Sequence, residues 1–437
     1  MRLRRRGAGP VAEQTSGRRS GAGSRAPAEA RGYVHPREHR WILTVVLLLV
    51  AFGSVMVYSA SSARPGLAGS GSGSGLFVKT LVMGVLPGVT VLFLLQRISL
   101  QQVRMWTKPL LYCSIGALIA VRLPGIGQEV NGATRWLGAG AFKFQPSEIA
   151  KIAVVLTVAD RAVRFHGRIR TLGESVIKVQ WPILVCCGLI AIEPDLGTSI
   201  VCFVTGVAVL YMAGTPGRFV KPVVVGVVSA GTVFAVTSPY RLGRLMAFLD
   251  PWSESMRQGK GFQLVQGQIA IGSGGVFGSG LGQSVQKSYF LPEAHTDFIL
   301  AVIGEELGML AILALLAAFA FLMWNGINLS RDAVDPYAKL TAAGLTALIT
   351  CQALLNICVV LGVAPLTGVP LPFISYGPSN LIVLLSACGL LLNIAATGGV
   401  SLQAVDSDGE YEAGDADADP DRSRGYGRSR HSGAQRR

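Results

Sequence analysis

Polar and apolar positions in this chain segregate on a scale of tens of residues. Apolar runs of about 20 residues, enough to cross a hydrocarbon core of roughly 30 Å, recur along it between short polar stretches. They fall near 41–61, 76–97, 108–123, 147–162, 179–193, 197–214, 219–238, 297–325, 336–361 and 378–399. The pattern predicts an all-α fold, a polytopic membrane bundle of about ten helices with a long outer loop before the eighth. Nothing suggests tandem repeats.

Outside those runs the chain changes character. Residues 1–40 scatter Arg2, Arg4, Arg5, Arg6, Arg18, Arg19, Arg25, Arg31, Arg37 and Arg40 among Gly, Ala and Ser, a composition that cannot bury a core. They read as a disordered basic arm, not a cleavable signal, because no small-residue cleavage site follows the first apolar run. Residues 401–437 carry an acidic block from Asp406 to Asp421 and then an Arg-rich end, the blocked charge of a disordered tail. Between them, residues 41–400 form the transmembrane domain.

Composition agrees: 50% of residues are hydrophobic and only 15% charged, too few to cover a water-soluble domain of 437 residues. The net charge of +14 sits in tails and loops beside the spans, where it sets topology and meets anionic lipid headgroups. A nucleic-acid partner is therefore not expected. The cysteines Cys113, Cys186, Cys187, Cys202, Cys351, Cys358 and Cys388 all lie within apolar runs without ligand spacing, and read as packing residues.

Basic residues follow every second span: Arg97, Arg104 and Lys108; Arg161, Arg164, Arg168, Arg170 and Lys178; Arg218 and Lys221; Arg331 and Lys339. Those loops are expected in the cytoplasm, with both termini. The outer face then holds the Gly69–Gly75 tip, 124–146, Glu193–Asp195, 239–296 and 362–377.

Ionisable residues within or at the lip of a span are costly, so they are the candidates for chemistry. Asn131 to Lys151 contains Arg135, and puts Glu148 and Lys151 three apart on one helix face after Pro146. A structural ion pair and a binding role for Lys151 both remain open. Glu193-Pro194-Asp195 suits either a cation or a cap on the next helix. The segment 239–296 holds Arg241, Arg244, Lys287 and a glycine-rich stretch that lacks the spacing of a nucleotide-binding loop; it suits an anionic lipid head. Asp297 opens the eighth span, with Glu305 and Glu306 roughly 12 to 13 Å deeper at the helical rise. Of the two glutamates Glu305 lies nearer the Asp297 face, since eight residues turn through about 80° beyond whole turns. Asp297 at a cavity mouth has the stronger claim to acid–base chemistry.

Together these residues resemble the SEDS family of bacterial cell-wall proteins, the group of FtsW, RodA and SpoVE. The resemblance runs through Met56 to Ser61, Asn131 to Lys151, Glu193 to Thr198, Asp250-Pro251-Trp252, Pro292 to Ile299, Gly304 to Gly308 and Leu371 to Gly377. Asn131-Gly132-Ala133 and the wording from Gln286 to Asp297 are similar to the division-type branch. Where that family usually has Gly-Ser-Ser after Ser-Tyr-Gly, this chain has Pro378-Ser379-Asn380, which removes a backbone donor and stiffens the loop.

The resemblance implies a peptidoglycan glycosyltransferase of the bacterial cytoplasmic membrane, polymerising lipid II by β-1,4 transfer on the extracytoplasmic face. It implies Asp297 as catalytic residue, and Arg135, Lys151, Glu148, Arg241, Arg244, Lys287, His295 and Ser375 on the substrate side. Glu193, Asp195, Glu305 and Glu306 would support them. A divalent cation, Mg²⁺ or Mn²⁺, is implied with no ligand set, and the implied partners are a class B penicillin-binding protein and other divisome or elongasome proteins. A lipid II flippase and an inactive scaffold are the competing readings.

Overall fold

The computed structural model describes residues 35–62, 73–130, 133–139 and 142–397. The basic arm up to residue 34, most of the Gly69–Gly75 tip, Asn131-Gly132 and the charged tail beyond 397 lie outside the described residues. The helices are α1 (Pro36–Ser62), α2 (Gly73–Thr80), which runs through a π-helical turn, Leu81–Val85, into α3 (Leu86–Leu95), and α4 (Leu100–Val121). A three-stranded antiparallel sheet follows, β1 (Gln128–Val130), β2 (Ala133–Ala139) and β3 (Phe142–Phe144) in the order β1-β2-β3. Then come α5 (Pro146–Arg164), α6 (Leu172–Ser175) continuing through Val176–Gln180 into α7 (Trp181–Ile192), α8 (Leu196–Met212) and α9 (Gly217–Val236). The chain ends in α10 (Pro239–Leu249), α11 (Glu254–Arg257), α12 (Phe262–Gly274), α13 (Gln286–Tyr289), α14 (Ile299–Asp332), α15 (Pro336–Val360) and α16 (Pro378–Thr397).

Every apolar run of the sequence coincides with helix. Seven helical segments among the described residues are long and apolar enough to cross a membrane: α1, α2–α3, α6–α7, α9, α14, α15 and α16. Of the expected spans, the third and fourth (α4, α5) carry charges, and the sixth (α8) is apolar but short. The small sheet departs from the all-helical expectation: it forms in the outer loop, where β2 pairs with both neighbours. The long loop at 239–296 is not featureless either, since it contains α10 to α13. At the other end, α1 takes up Pro36 to Arg40, which the sequence pattern assigned to the arm.

Local chemistry sets the helix starts. Ser99 caps α4, accepting from the Gln102 amide while Gln102 Oε1 accepts from the Ser99 amide. Asp195 caps α8 through Thr198 N at 3.0 Å, and Asp335 caps α15 through Ala338 N at 2.8 Å. Pro146 and Pro378 stand in the first turns of α5 and α16, where a missing N–H costs little.

The innermost helices are α5, α15 and α16; α16 packs on α3, α15 on α14, α8 and α5, and α5 on α4 and α8. By contrast α9 is almost wholly exposed, and is a lipid-facing helix on the bundle's edge. Two helix ends that the charge pattern assigns to the cytoplasm are joined by Asp160 of α5, buried and paired with Arg104 of α4 at 2.6 Å and with Arg164 at 2.7 Å. At the opposite end the outer loops meet one another: Arg135 donates to the Glu193 and Pro194 carbonyls, and Tyr376 N donates to the His295 carbonyl.

Helix α14 is broken. Gly308 holds φ 76° and ψ −174° inside it, a conformation that residues with a Cβ rarely adopt. A Cβ there would stand 2.4 Å from the Val276 carbonyl oxygen. Backbone groups freed by the break are taken up by the segment after α12: Met309 N donates to Gly275 O at 2.9 Å, and Ser279 N and Gly280 N donate to the Glu305 and Glu306 carbonyls at 2.9 Å. Non-helical backbone at this depth is tolerable because protein, not lipid, satisfies it.

Candidate functional site

Asp297 lies in the turn that enters α14, facing the loop between α15 and α16. Its carboxylate accepts no hydrogen bond from the described residues, and Oδ2 would be 3.4 Å from a Cβ on Gly368, which the loop holds at φ 74°. Burial, reinforced by Glu293 and Asp195 and opposed by Arg244 and Arg135, pushes its pKa up to about 7. A half-buried carboxylate poised near neutrality, without a fixed partner, is suited to take and return a proton. The backbone around it is strained: Glu293 and Phe373 both have positive φ, 53° and 64°.

Glu293 accepts a hydrogen bond from Thr296 Oγ1 at 3.0 Å. The His295 and Tyr376 rings meet at a tilt of 53°, 5.6 Å between centroids, and Ser375 Oγ accepts from Leu371 N at 2.8 Å, shaping the loop's turn. Arg135, on β2, and Arg244, on α10, bring positive charge into electrostatic reach of Asp297. Arg241 of α10 turns away, donating to the Phe234 carbonyl at 3.0 Å with its guanidinium over the Phe234 ring.

Asp195 is occupied as the α8 cap and also accepts from Gln145 Nε2 at 3.1 Å. Glu193 is fully buried, and its carboxyl oxygens have no hydrogen-bond partner among the described residues. Burial, with Asp195 adding to it, pushes its pKa up to about 8 against the pull of Arg135 and Arg122. Of the two roles that the sequence left open for this pair, the structure displays the helix cap, made by Asp195. More broadly, no group of three His, Cys, Asp or Glu among the described residues converges to hold a metal ion. The donors around Asp297 do not fit a resident divalent cation, and no step below uses one.

Glu148 and Lys151 do pair, at 3.0 Å, and both are buried. Lys151 Nζ also donates to Gln352 Oε1 at 2.8 Å, Asn380 Nδ2 donates to Glu148 Oε2 at 2.6 Å, and Gln352 Nε2 reaches Asn380 Oδ1 at 3.2 Å. The ring of four closes on itself, so the Lys151 ammonium is held by Glu148 and Gln352 in this structure. It also accounts for the unusual Pro378-Ser379-Asn380: Pro378 begins α16, Ser379 Oγ donates to the Lys143 carbonyl at 3.1 Å, and Asn380 completes the ring.

The deeper carboxylates are likewise consumed. Glu306 pairs with the buried Lys287 at 2.6 Å and accepts from Ser59 Oγ at 2.7 Å, joining α13, α14 and α1. Glu305 accepts from Ser284 Oγ at 2.5 Å and Val285 N at 2.9 Å. Lys287, which the resemblance put on the substrate side, is buried here against Glu306 and Ser59. Glu305, for all its nearness to the Asp297 face on a helical projection, bonds to the segment leading into α13.

Sequence reasoning missed Gln352 and Asn356. Both lie in an apolar run, four apart on one face of α15, and a polar residue in a span was signal enough; attention to formal charge passed over them.

A family model described as "Cell cycle protein", covering FtsW, RodA and SpoVE, matches residues 39–398. The chain is 38% identical over 357 residues to the probable peptidoglycan glycosyltransferase FtsW of Trichlorobacter lovleyi, covering 81% of this chain and 92% of that one. It is 36% identical to the stage V sporulation protein E of Bacillus subtilis, covering 81% and 96%. Among solved structures it is similar to a chain of a peptidoglycan synthase complex that coordinates polymerization and crosslinking, with TM-score 0.66 and 27% identity over 82% of this chain and 97% of that one. The rod shape determining protein RodA of Thermus thermophilus matches with TM-score 0.59 and 26% identity, over 81% and 95%.

Proposed function

The chain belongs to the FtsW/RodA/SpoVE family, and from that membership and the site around Asp297 we propose that it is a peptidoglycan glycosyltransferase polymerising lipid II. In this reading the acceptor's sugar hydroxyl attacks the anomeric carbon of the lipid-linked donor. A new C–O bond forms on the face opposite the one that breaks, the lipid pyrophosphate leaves with its electron pair, and Asp297 takes the hydroxyl proton. Arg135 and Arg244, the cations that act on Asp297, would supply the positive charge that a leaving pyrophosphate needs. The polyprenyl tail lies along the apolar exterior of the bundle.

The observation that carries the proposal is the half-buried carboxylate of Asp297, without a hydrogen-bond partner among the described residues and pushed up to about 7, at the end of the bundle where the outer loops converge. By the charge pattern that end is extracytoplasmic and both termini are cytoplasmic, where the lipid-linked sugars and the cell interior respectively lie. The chain is a multi-pass membrane protein. Its expected partner is a class B penicillin-binding protein, a proposal that the likeness to a synthase complex supports; the role among division, elongation and sporulation follows from that partner. The charges that a transport reading would use, Glu148, Lys151, Glu305, Glu306 and Lys287, are all paired or hydrogen-bonded in this structure.

The test is reconstitution with the cognate transpeptidase and labelled lipid II. Wild type is expected to make glycan strands and Asp297→Ala none. Equal synthesis by the variant would remove Asp297 from the chemistry, and synthesis by neither protein beside a confirmed partner would favour scaffold or transporter.

A further inference from the structure

Among the described residues no side chain hydrogen-bonds the Asp297 carboxylate, yet a base must be placed to within a fraction of an ångström to work. What fixes it is one residue away in space and 59 along the chain. Asn356 of α15 donates through Nδ2 to the backbone carbonyl of Asp297 at 2.8 Å and to that of Val369 at 2.8 Å. Val369 follows Gly368, against which Asp297 Oδ2 rests. A single buried amide, 1% exposed, therefore ties down both the residue bearing the carboxylate and the loop that walls it. Its own Oδ1 finds no partner among the described residues. Neither carbonyl belongs to a regular helix or strand, so this donor is not redundant with secondary structure.

One turn along the same face of α15, Gln352 repeats the device on Pro370 O at 3.1 Å while joining the Lys151–Glu148–Asn380 ring. The rigid core of the bundle is thus linked, amide by amide, to the loop residues beside Asp297. We propose that Asn356 is the positioning residue of the glycosyl-transfer site, holding the Asp297 turn and the Gly368–Val369 wall in register so that the carboxylate meets the acceptor hydroxyl. This rests on the reading of Asp297 as the base. Asn356 itself touches no reacting atom.

The experiment uses the full chain with its transpeptidase partner and three variants, Asn356→Leu, Asn356→Asp and Asn356→Ser. Two readouts are taken: polymerisation rate against lipid II concentration and pH, and the pH dependence of carbodiimide modification at Asp297, located by mass spectrometry. The second reports the carboxyl without turnover. Leucine, close in size but without donors, is expected to lower kcat on the order of 10²-fold, the cost of a misplaced reacting group of about 1 Å. KM should stay within about twofold, since the substrate's own contacts are untouched.

The charged groups facing Asp297 are Glu293 on its own turn, Asp195 at the start of α8, Arg135 on β2 and Arg244 on α10. Loosening the turn in Asn356→Leu admits water and moves the labelling midpoint down; the added carboxylate of Asn356→Asp moves it up. Opposite shifts of this kind do not arise from a general loss of stability. Asn356→Ser, smaller and still a donor, carries the test if the other two fail to fold, and is expected to shift down less than leucine does. A labelling midpoint unmoved in every folded variant overturns the inference, as does a kcat loss with the midpoint fixed. A moved midpoint with unchanged kinetics keeps Asn356 as the positioner of Asp297 and removes Asp297 as the base, so the two readings fail separately.

Discussion

Among single residues, Lys151 shows most clearly how a position changes meaning between sequence and structure. Its place beside Glu148 on α5 was legible from a spacing of three, but whether the pair was free to bind a phosphate was not. The answer depends on Gln352 and Asn380, which are about 200 residues away in sequence and reach it only through packing. An unpaired buried charge costs about 3 to 5 kcal/mol when its partner is deleted. Lys151→Met is therefore expected to lower stability by roughly that amount, and a Lys151→Met, Glu148→Gln double variant to recover part of it. Thermal unfolding in detergent checks this. If Lys151→Met melts like wild type and only KM for lipid II rises, the lysine binds substrate after all. Asp297 was found from its place at the mouth of an apolar run, an unusual position for a carboxylate; its shifted pKa, which depends on Glu293, Asp195, Arg244 and Arg135 together, was not readable from any one segment.

At the level of elements, the helices were the most legible feature, because lipid imposes one long period on everything that crosses it. The break in α14 was not. Gly308 sits in a run of hydrophobic residues that reads as uninterrupted helix, and only the approach of Val276 and Gly278 makes its conformation necessary. The sequence pattern showed Glu305 and Glu306 as neighbours on one helix; the structure turns them to different partners, Ser284 and Lys287. Gly308→Ala places a Cβ against the Val276 carbonyl and forces a residue with a side chain into a positive-φ region that is essentially glycine's own, which costs about 1 to 3 kcal/mol before any clash is counted. The variant is expected to melt at lower temperature and to lose activity through displacement of the 274–287 segment. Unchanged melting and activity would show that the break is not required. The small sheet escaped notice for a related reason: β1 and β3 are three residues each, too short for alternation to register.

For the whole molecule, orientation was read from arginines and lysines; the structure joins Asp160 to Arg104 at one end and Arg135 to the Glu193 carbonyl at the other. Exposed positions at each end make this testable. Single cysteines at Lys143 and Arg168, introduced beside native cysteines that lie within helices, are expected to react differently with an impermeant maleimide in intact cells: 143 labelled, 168 only after lysis. The reverse pattern would place the Asp297 end inside, away from the lipid-linked sugars.

The central claim is that Asp297 acts as the base, and the pH dependence of polymerisation by the intact complex addresses it most directly. Burial raises the Asp297 pKa from 3.8 to about 7, and a base works only when deprotonated. The rate is therefore expected to climb about tenfold per pH unit below the midpoint and to level off above about pH 7. In Asp297→Asn that limb should vanish along with turnover. A wild-type profile flat from pH 5 to 8, or the same rising limb in Asp297→Asn, would contradict the account.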